Sequence, residues 1–246
     1  MNEDYQWPEM DFKRDYIKGI SLKEVSRNFI EEFFSKKFGY SCSLFPSARS
    51  ALSAVMIQKK LNRSNVTFVP KWSSHCVWDT VARFSNPTCI DGNDVDHTIR
   101  VNKWGFFYNT SYPADMTINN SVDSLFTKKE ALLNGSDFEI ISLPKIIGSI
   151  TGGLLVYKND ELKEFFDKLI ESSSEDLSEH QFQLKMKFMK GESSLYHWGS
   201  TEFNNFQTTS VERSFLEAFL DKYEKNIDVT SNRLDILNNI IEKNSI

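Results

Sequence analysis

Apolar residues recur at helical spacing early in the chain, at Val25, Phe29, Ile30, Phe33 and Phe34, which predicts a helix with one buried face. Ser21-Leu22-Lys23-Glu24 has the form of a capping box, so that helix is expected to open there and run to about Phe38. The period then shortens. Tyr40–Phe45 reads as a short strand, and the small residues from Pro46 to Leu52 open a helix reaching about Leu61. Val66–Pro70 is a second strand, His75–Phe84 a helix, and Pro87–Asp91 and Trp104–Tyr108 two further strands, the last ending near a turn at Tyr112–Met116. Strands alternating with helices imply an α/β fold with a mostly parallel sheet and helices on both faces.

Residues Ile140–Tyr157 interrupt this rhythm. Two apolar runs flank a segment with Pro144, Lys145, Gly148, Gly152 and Gly153. Apolar runs bounded by turn residues read as buried strands. A lysine held between such strands, beside glycines that admit close backbone approach, is a candidate amine nucleophile. The plainer reading is a surface turn that contains a lysine. Beyond Tyr157 the pattern turns helical, at Asp160–Ile170, Asp176–Lys190 and Val211–Glu242, with a loop from Gly191 to Thr209. The organisation expected is an extended arm at residues 1–20, a large domain at 21–210 and a carboxyl-terminal helical segment at 211–246.

Composition narrows the field. The chain has 246 residues, 40% hydrophobic and 26% charged, which suits a sizeable core. Its net charge of −5, without a basic run, argues against nucleic acid as a partner. No apolar run approaches a membrane span, and Met1-Asn2-Glu3-Asp4 does not open a secretory leader. Cys42, Cys76 and Cys89 form neither a disulfide framework nor a zinc pattern, so a reduced, cytoplasmic protein is expected.

Three further stretches carry candidate chemistry. Ser47-Ala48-Arg49-Ser50 lies between a strand and a helix, where unpaired amides, two hydroxyls and a cation suit a phosphate; simple serine capping is the alternative. Pro70-Lys71-Trp72-Ser73-Ser74-His75 closes a strand and opens a helix, and Trp72 or His75 could stack on a flat ring there, unless they are ordinary core and capping residues. Asp123 precedes Lys145 and could pair with a ring nitrogen, or be a solvated loop aspartate.

Taken together these stretches resemble the DegT-type sugar aminotransferases, pyridoxal-phosphate enzymes of the aspartate-aminotransferase (type I) fold. Pro46–Leu52 resembles the family's Ser-Gly-Thr-Ser-Ala-Leu phosphate turn, and Tyr112-Pro113-Ala114-Asp115-Met116 its Pro-Ala-Asp-Met turn. Lys145 with Gly152-Gly153 is similar to the Schiff-base lysine and its glycine pair, and Phe203–Thr208 to a segment that reaches towards a neighbouring subunit's site. The resemblance implies pyridoxal phosphate as cofactor and Lys145 as the catalytic amine. It implies cofactor contacts from Ser47, Ala48, Arg49, His75, Asp123, Ser142 and Asn205. It further implies an amino acid donor, a nucleotide-linked keto sugar acceptor, a role in bacterial surface-polysaccharide synthesis, and a homodimer. The chain departs from the pattern in places. Ala48 and Arg49 replace Gly and Thr, Ser74 stands at the ring-stacking aromatic, and Phe126 at a polar position. The small carboxyl-terminal domain is expected to be largely missing. A relative that keeps the fold but serves as a binding or partner subunit is the alternative function.

Overall fold

The computed structural model describes residues 24–90, 92, 94–103, 114–124, 132–189, 192 and 205–244. The expected arm, the strand at Trp104–Tyr108, Phe126, and the leading residues Tyr112, Pro113, Phe203 and Asn204 of two motif stretches lie outside them. In chain order the elements are α1 (Arg27–Phe38), β1 (Ser41–Phe45), α2 (Ala48–Gln58), β2 (Val66–Phe68), α3 (His75–Phe84), β3 (Asn86–Thr88) and β4 (His97–Lys103). They continue with β5 (Met116–Asp123), β6 (Phe138–Ser142), α4 (Leu143–Ile147), β7 (Gly153–Tyr157), α5 (Leu162–Glu171), α6 (Glu175–Met189) and α7 (Ser210–Asn244).

Ser21, Leu22 and Lys23 of the expected capping box lie outside the described residues, and helix α1 opens at Arg27. Ser26 is its N-cap, with Oγ accepting the Phe29 N–H at 3.2 Å, and Gly39 ends it in the left-handed region at φ 71°. The strand expected at Pro87–Asp91 is the shorter β3. A larger correction concerns Met116–Asp123, where the sequence reading places the end of a turn at Met116 and assigns no strand. It is a strand whose first six residues are buried, and the residues after Pro113 run straight into it.

The strands form one seven-stranded sheet in the order β1-β7-β6-β5-β4-β2-β3. Strands β3, β2, β4, β5 and β6 pair in parallel, while β7 is antiparallel to both β6 and β1. Strand β1 therefore runs with β6, and one edge of the sheet gathers the carboxyl ends of every strand except β7. Helices cover both faces. On one, Ala51, Val55, Val77, Val81 and Phe166 pack on Phe45, Ile99, Ile118, Ile140 and Leu155. On the other, Ile30, Phe34, Phe215 and Phe219 pack on Leu44, Ile141, Leu154 and Val156. The opening turns of α7 thus share a core with α1, where the Phe34 and Tyr223 rings meet edge-on at 5.5 Å. Each fully buried aromatic or aliphatic side chain here contributes on the order of 1.5–3 kcal/mol relative to exposure.

Candidate active site

In open α/β sheets, ligands gather outside the carboxyl ends of the strands. That edge here carries Pro46 and Ser47 after β1, His75 beyond β2, Asp123 at the end of β5 and Ser142 at the end of β6. Seven of the eight residues expected from sequence reach this edge by topology: Ser47, Ala48, Arg49, His75, Asp123, Ser142 and Lys145. Asn205 does not come from a strand end. It is 1% exposed, and its amide accepts from Ser178 Oγ at 2.9 Å and from Gln207 N–H, and donates to Gln181 Oε1 at 2.7 Å. These bonds tie its loop to α6.

Lys145 is placed by a sharp local fold. Strand β6 ends at Ser142, which takes the N-cap position of α4, and Pro144 fits the first turn, where no intrahelical N–H is needed. Gly148, at φ 72°, stops the helix after five residues and donates to Pro144 O at 3.1 Å. Lys145 thus sits in mid-helix just past the strand end. Because β5 neighbours β6 in parallel, Lys145 Nζ reaches Asp123 Oδ1 at 2.5 Å. The lysine side chain is 36% exposed and the aspartate 12%, so the amine is neither deep in the core nor loose on the surface. It is a paired amine at the mouth of the site. His75 is exposed and opens α3 beyond β2, whose place in the sheet is ~10 Å across β4 from β5.

The Ser47 turn is built by contact with the opposite end of the chain. Ser47 caps α2, its Oγ accepting the Ser50 N–H at 3.1 Å and lying 3.0 Å from Ser50 Oγ. Capping, the plain alternative, is therefore part of what these hydroxyls do. Opening an eleven-residue helix, the turn also presents amides without intrahelical partners and the positive end of a dipole. Gly153 pairs with Phe45 on one side and Ser142 on the other. A Cβ on it would lie 2.1 Å from the Ser47 carbonyl carbon and oxygen, so only glycine lets β7 press against this peptide. Gly152, at φ 112°, donates to Pro46 O at 3.0 Å and accepts the Leu143 N–H at 3.0 Å. The glycine pair thereby holds the Ser47 turn and the start of the Lys145 helix together.

Among the buried acids that the sequence reading did not single out are Glu212 and Glu139. Glu212 accepts from Thr151 Oγ1 at 2.7 Å behind the Ser47 turn, and the only sequence signal was the capping box Thr209-x-x-Glu212. Glu139, wholly buried on β6, accepts from Ser121 Oγ, from Asn119 Nδ2 at 3.0 Å and from Leu133 N–H at 2.9 Å. Burial pushes its carboxyl up to about 7, against the pull of those three donors.

No curated protein matches the chain in sequence. A family model described as "Putative PLP-dependent aminotransferase" matches residues 30–246. The chain belongs to this family. Among solved structures, this aminotransferase-family chain is similar to the PMP form of "Putative sugar aminotransferase Spr1654 from Streptococcus pneumoniae". The two are 13% identical with a TM-score of 0.65, over 96% of this chain and 71% of that one. It is also similar to the aminotransferase TlmJ from Streptoalloteichus hindustanus, at 14% identity and TM-score 0.63 over 88% of this chain and 65% of TlmJ. A third is a mutant of GDP-4-keto-6-deoxymannose-3-dehydratase (ColD) with bound GDP-perosamine, at 12% identity and TM-score 0.59, covering 89% and 67%. These likenesses establish the fold, and the chain spans about two thirds of the length of these structures.

The cofactor of the family is pyridoxal phosphate. The residues present fit it. The Ser47 turn opens α2 with backbone amides that have no intrahelical partner, and the adjacent ends of β5 and β6 supply a carboxylate and a primary amine. Among the described residues no group of three or more His, Cys, Asp and Glu side chains could hold a metal ion, and no helix is long and apolar enough to cross a membrane.

Proposed function

We propose that this chain uses pyridoxal phosphate to move an amino group from an amino acid donor to a nucleotide-linked keto sugar, within bacterial surface-polysaccharide synthesis. The observation that carries the reading is the Lys145–Asp123 pair at 2.5 Å, on the sheet edge that also holds the Ser47 turn. When bound, the cofactor supplies an aldehyde that an amine can hold and a protonated ring that draws electrons from the substrate. Lys145 Nζ would be the amine that holds that aldehyde and the base that carries the proton to and from the substrate α-carbon. Asp123 keeps the ring nitrogen protonated. The opening amides of α2, with Ser47, Ala48, Arg49 and Ser142, take the phosphate, to which the Arg49 guanidinium adds a charge-assisted bond. His75 would face the ring, and Asn205, whose amide is bound to Ser178, Gln181 and Gln207, would steady the segment that approaches the neighbouring site of a homodimer, where isologous pairing repeats each contact across a two-fold axis. The motif resemblance supports the sugar acceptor, and the sugar-processing proteins among the solved structures of this fold are consistent with it.

Purified chain is loaded with pyridoxal phosphate, reduced with borohydride and mapped by peptide mass spectrometry. The expected result is one adduct, on Lys145; an unmodified Lys145 rejects the assignment. Addition of glutamate to the unreduced, loaded chain should bleach its visible band, and a nucleotide-linked keto sugar should restore it. A band indifferent to glutamate would move the reading to a cofactor-binding partner subunit without turnover.

A further inference from the structure

Thr151 stands between the Ser47 turn and the start of α7. Its Oγ lies 2.8 Å from Pro46 O and 2.7 Å from Glu212 Oε1, so two acceptors share one hydroxyl proton. The other Glu212 oxygen accepts the Thr209 N–H at 2.9 Å, and Glu212 N–H returns to Thr209 Oγ1 at 3.1 Å, a reciprocal capping box. Glu212 is 1% exposed and Thr151 likewise 1%, so this is a dry connection. Ser149 Oγ holds the Thr151 carbonyl at 2.7 Å, which fixes the loop that carries the threonine. Pro46 O receives a second donor, the Gly152 N–H at 3.0 Å. A helix cap alone needs neither Thr151 nor Pro46.

The Pro46 carbonyl and the Ser47 N–H belong to one planar peptide and point in opposite directions. Two donors on that oxygen therefore fix where the Ser47 amide points, immediately ahead of the amides that open α2. Anion binding by backbone amides depends on that alignment being set before the ligand arrives. We propose that Glu212, acting through Thr151, is a positioning residue for the phosphate seat at Ser47–Arg49. This inference rests on the reading of the Ser47 turn as that seat.

Titration of the full chain with pyridoxal phosphate, and separately with pyridoxal, which lacks the phosphate, tests it through the visible absorbance of the bound ring. Wild type binds the phosphorylated ligand more tightly. Glu212→Ala and Thr151→Val each raise the Kd for pyridoxal phosphate by about tenfold, the worth of one well-placed polar contact, and leave that for pyridoxal within about twofold. Glu212→Gln and Thr151→Ser, which keep the bridging atoms, restore the preference. Thr151→Val leaves the Glu212–Thr209 cap intact, so it carries the test where Glu212→Ala does not fold. Variants that weaken both ligands equally reveal a merely structural bridge and overturn the proposal. A wild-type preference that every variant retains overturns the positioning role alone. A wild-type chain without any preference overturns the phosphate seat and this proposal together.

Discussion

One row of side chains crosses the sheet face beneath α1 and changes chemistry half-way. Strand registers align Cys42, Val156, Glu139, Asn119 and Arg100 on successive strands β1, β7, β6, β5 and β4. All five are buried, the most exposed being Arg100 at 8%. The first two belong to the apolar core closed by Ile30, Phe34 and Phe219. The last three form a polar half, in which Asn119 binds Glu139 and Arg100 Nη1 donates to Gly135 O at 3.0 Å. Asn102 and Ser121 extend it towards the end of β5, where Asp123 meets Lys145. The apolar half supplies stability through burial. The polar half gains little net energy per bond, since each replaces a bond to water, but leaving any member unpaired costs more than the bond is worth. It therefore fixes the register of the strands whose ends hold Asp123 and Lys145.

That contrast can be broken in graded steps. Phe34→Ala, which empties the middle of the apolar half, should cost about 3–5 kcal/mol, read as a lower denaturant midpoint with an unchanged slope. In the polar half, the effect of Glu139 is set by pH. Its folded carboxyl titrates at about 7, above the ordinary 4.5, so the folded chain binds more protons across that window. Its stabilising contribution is fully present below pH 4.5 and falls by roughly 3 kcal/mol as pH rises through 7. Glu139→Gln should flatten this part of the stability–pH profile; a profile identical to wild type would show that the acid is not desolvated as described. Next in size is Gly153→Ala, at about 2 kcal/mol, because the new Cβ forces β7 away from the Ser47 peptide. The same variant should lose pyridoxal phosphate affinity, whereas a Gly92→Ala control, with open space around it, should not. Smallest is the Lys145–Asp123 coupling. With the lysine a third exposed, a double-alanine cycle on the cofactor-free chain should give under about 1 kcal/mol. A much larger coupling would make the pair a structural element rather than a site.

The division between the two halves also governs what could be read from sequence. Helices α2, α3 and α5 and strands β1, β2, β6 and β7 announce themselves by apolar runs and helical periods, because both their surroundings and their neighbours are apolar. Lys145 and its glycine pair were legible for the same reason: they punctuate two apolar strands. Strands β4 and β5 were not. His97, Arg100 and Asn102, and Thr117, Asn119, Asn120 and Ser121, are buried polar residues that no hydrophobicity template assigns to a sheet interior. Asp123 was consequently singled out as a carboxylate ahead of Lys145, without the strand that carries it. Glu212 and Thr151 stayed hidden because their partnership spans 61 residues and leaves no local pattern.

Among the described residues strand β1 has a single neighbour in the sheet, β7, and the Ser43–Tyr157 contact between them spans 114 residues. During synthesis the Leu44 and Phe45 side chains therefore have no strand to join until β7 has left the ribosome. At ~5–20 residues per second this wait is on the order of ten seconds. For that interval an apolar edge strand and the amphipathic α1 beside it are open to chaperones or to wrong pairing, and the Ser47 turn lacks the brace that Gly153 provides. Competence to hold a phosphate is thus acquired late and all at once, when the hundred-and-fiftieth residues return to the forties.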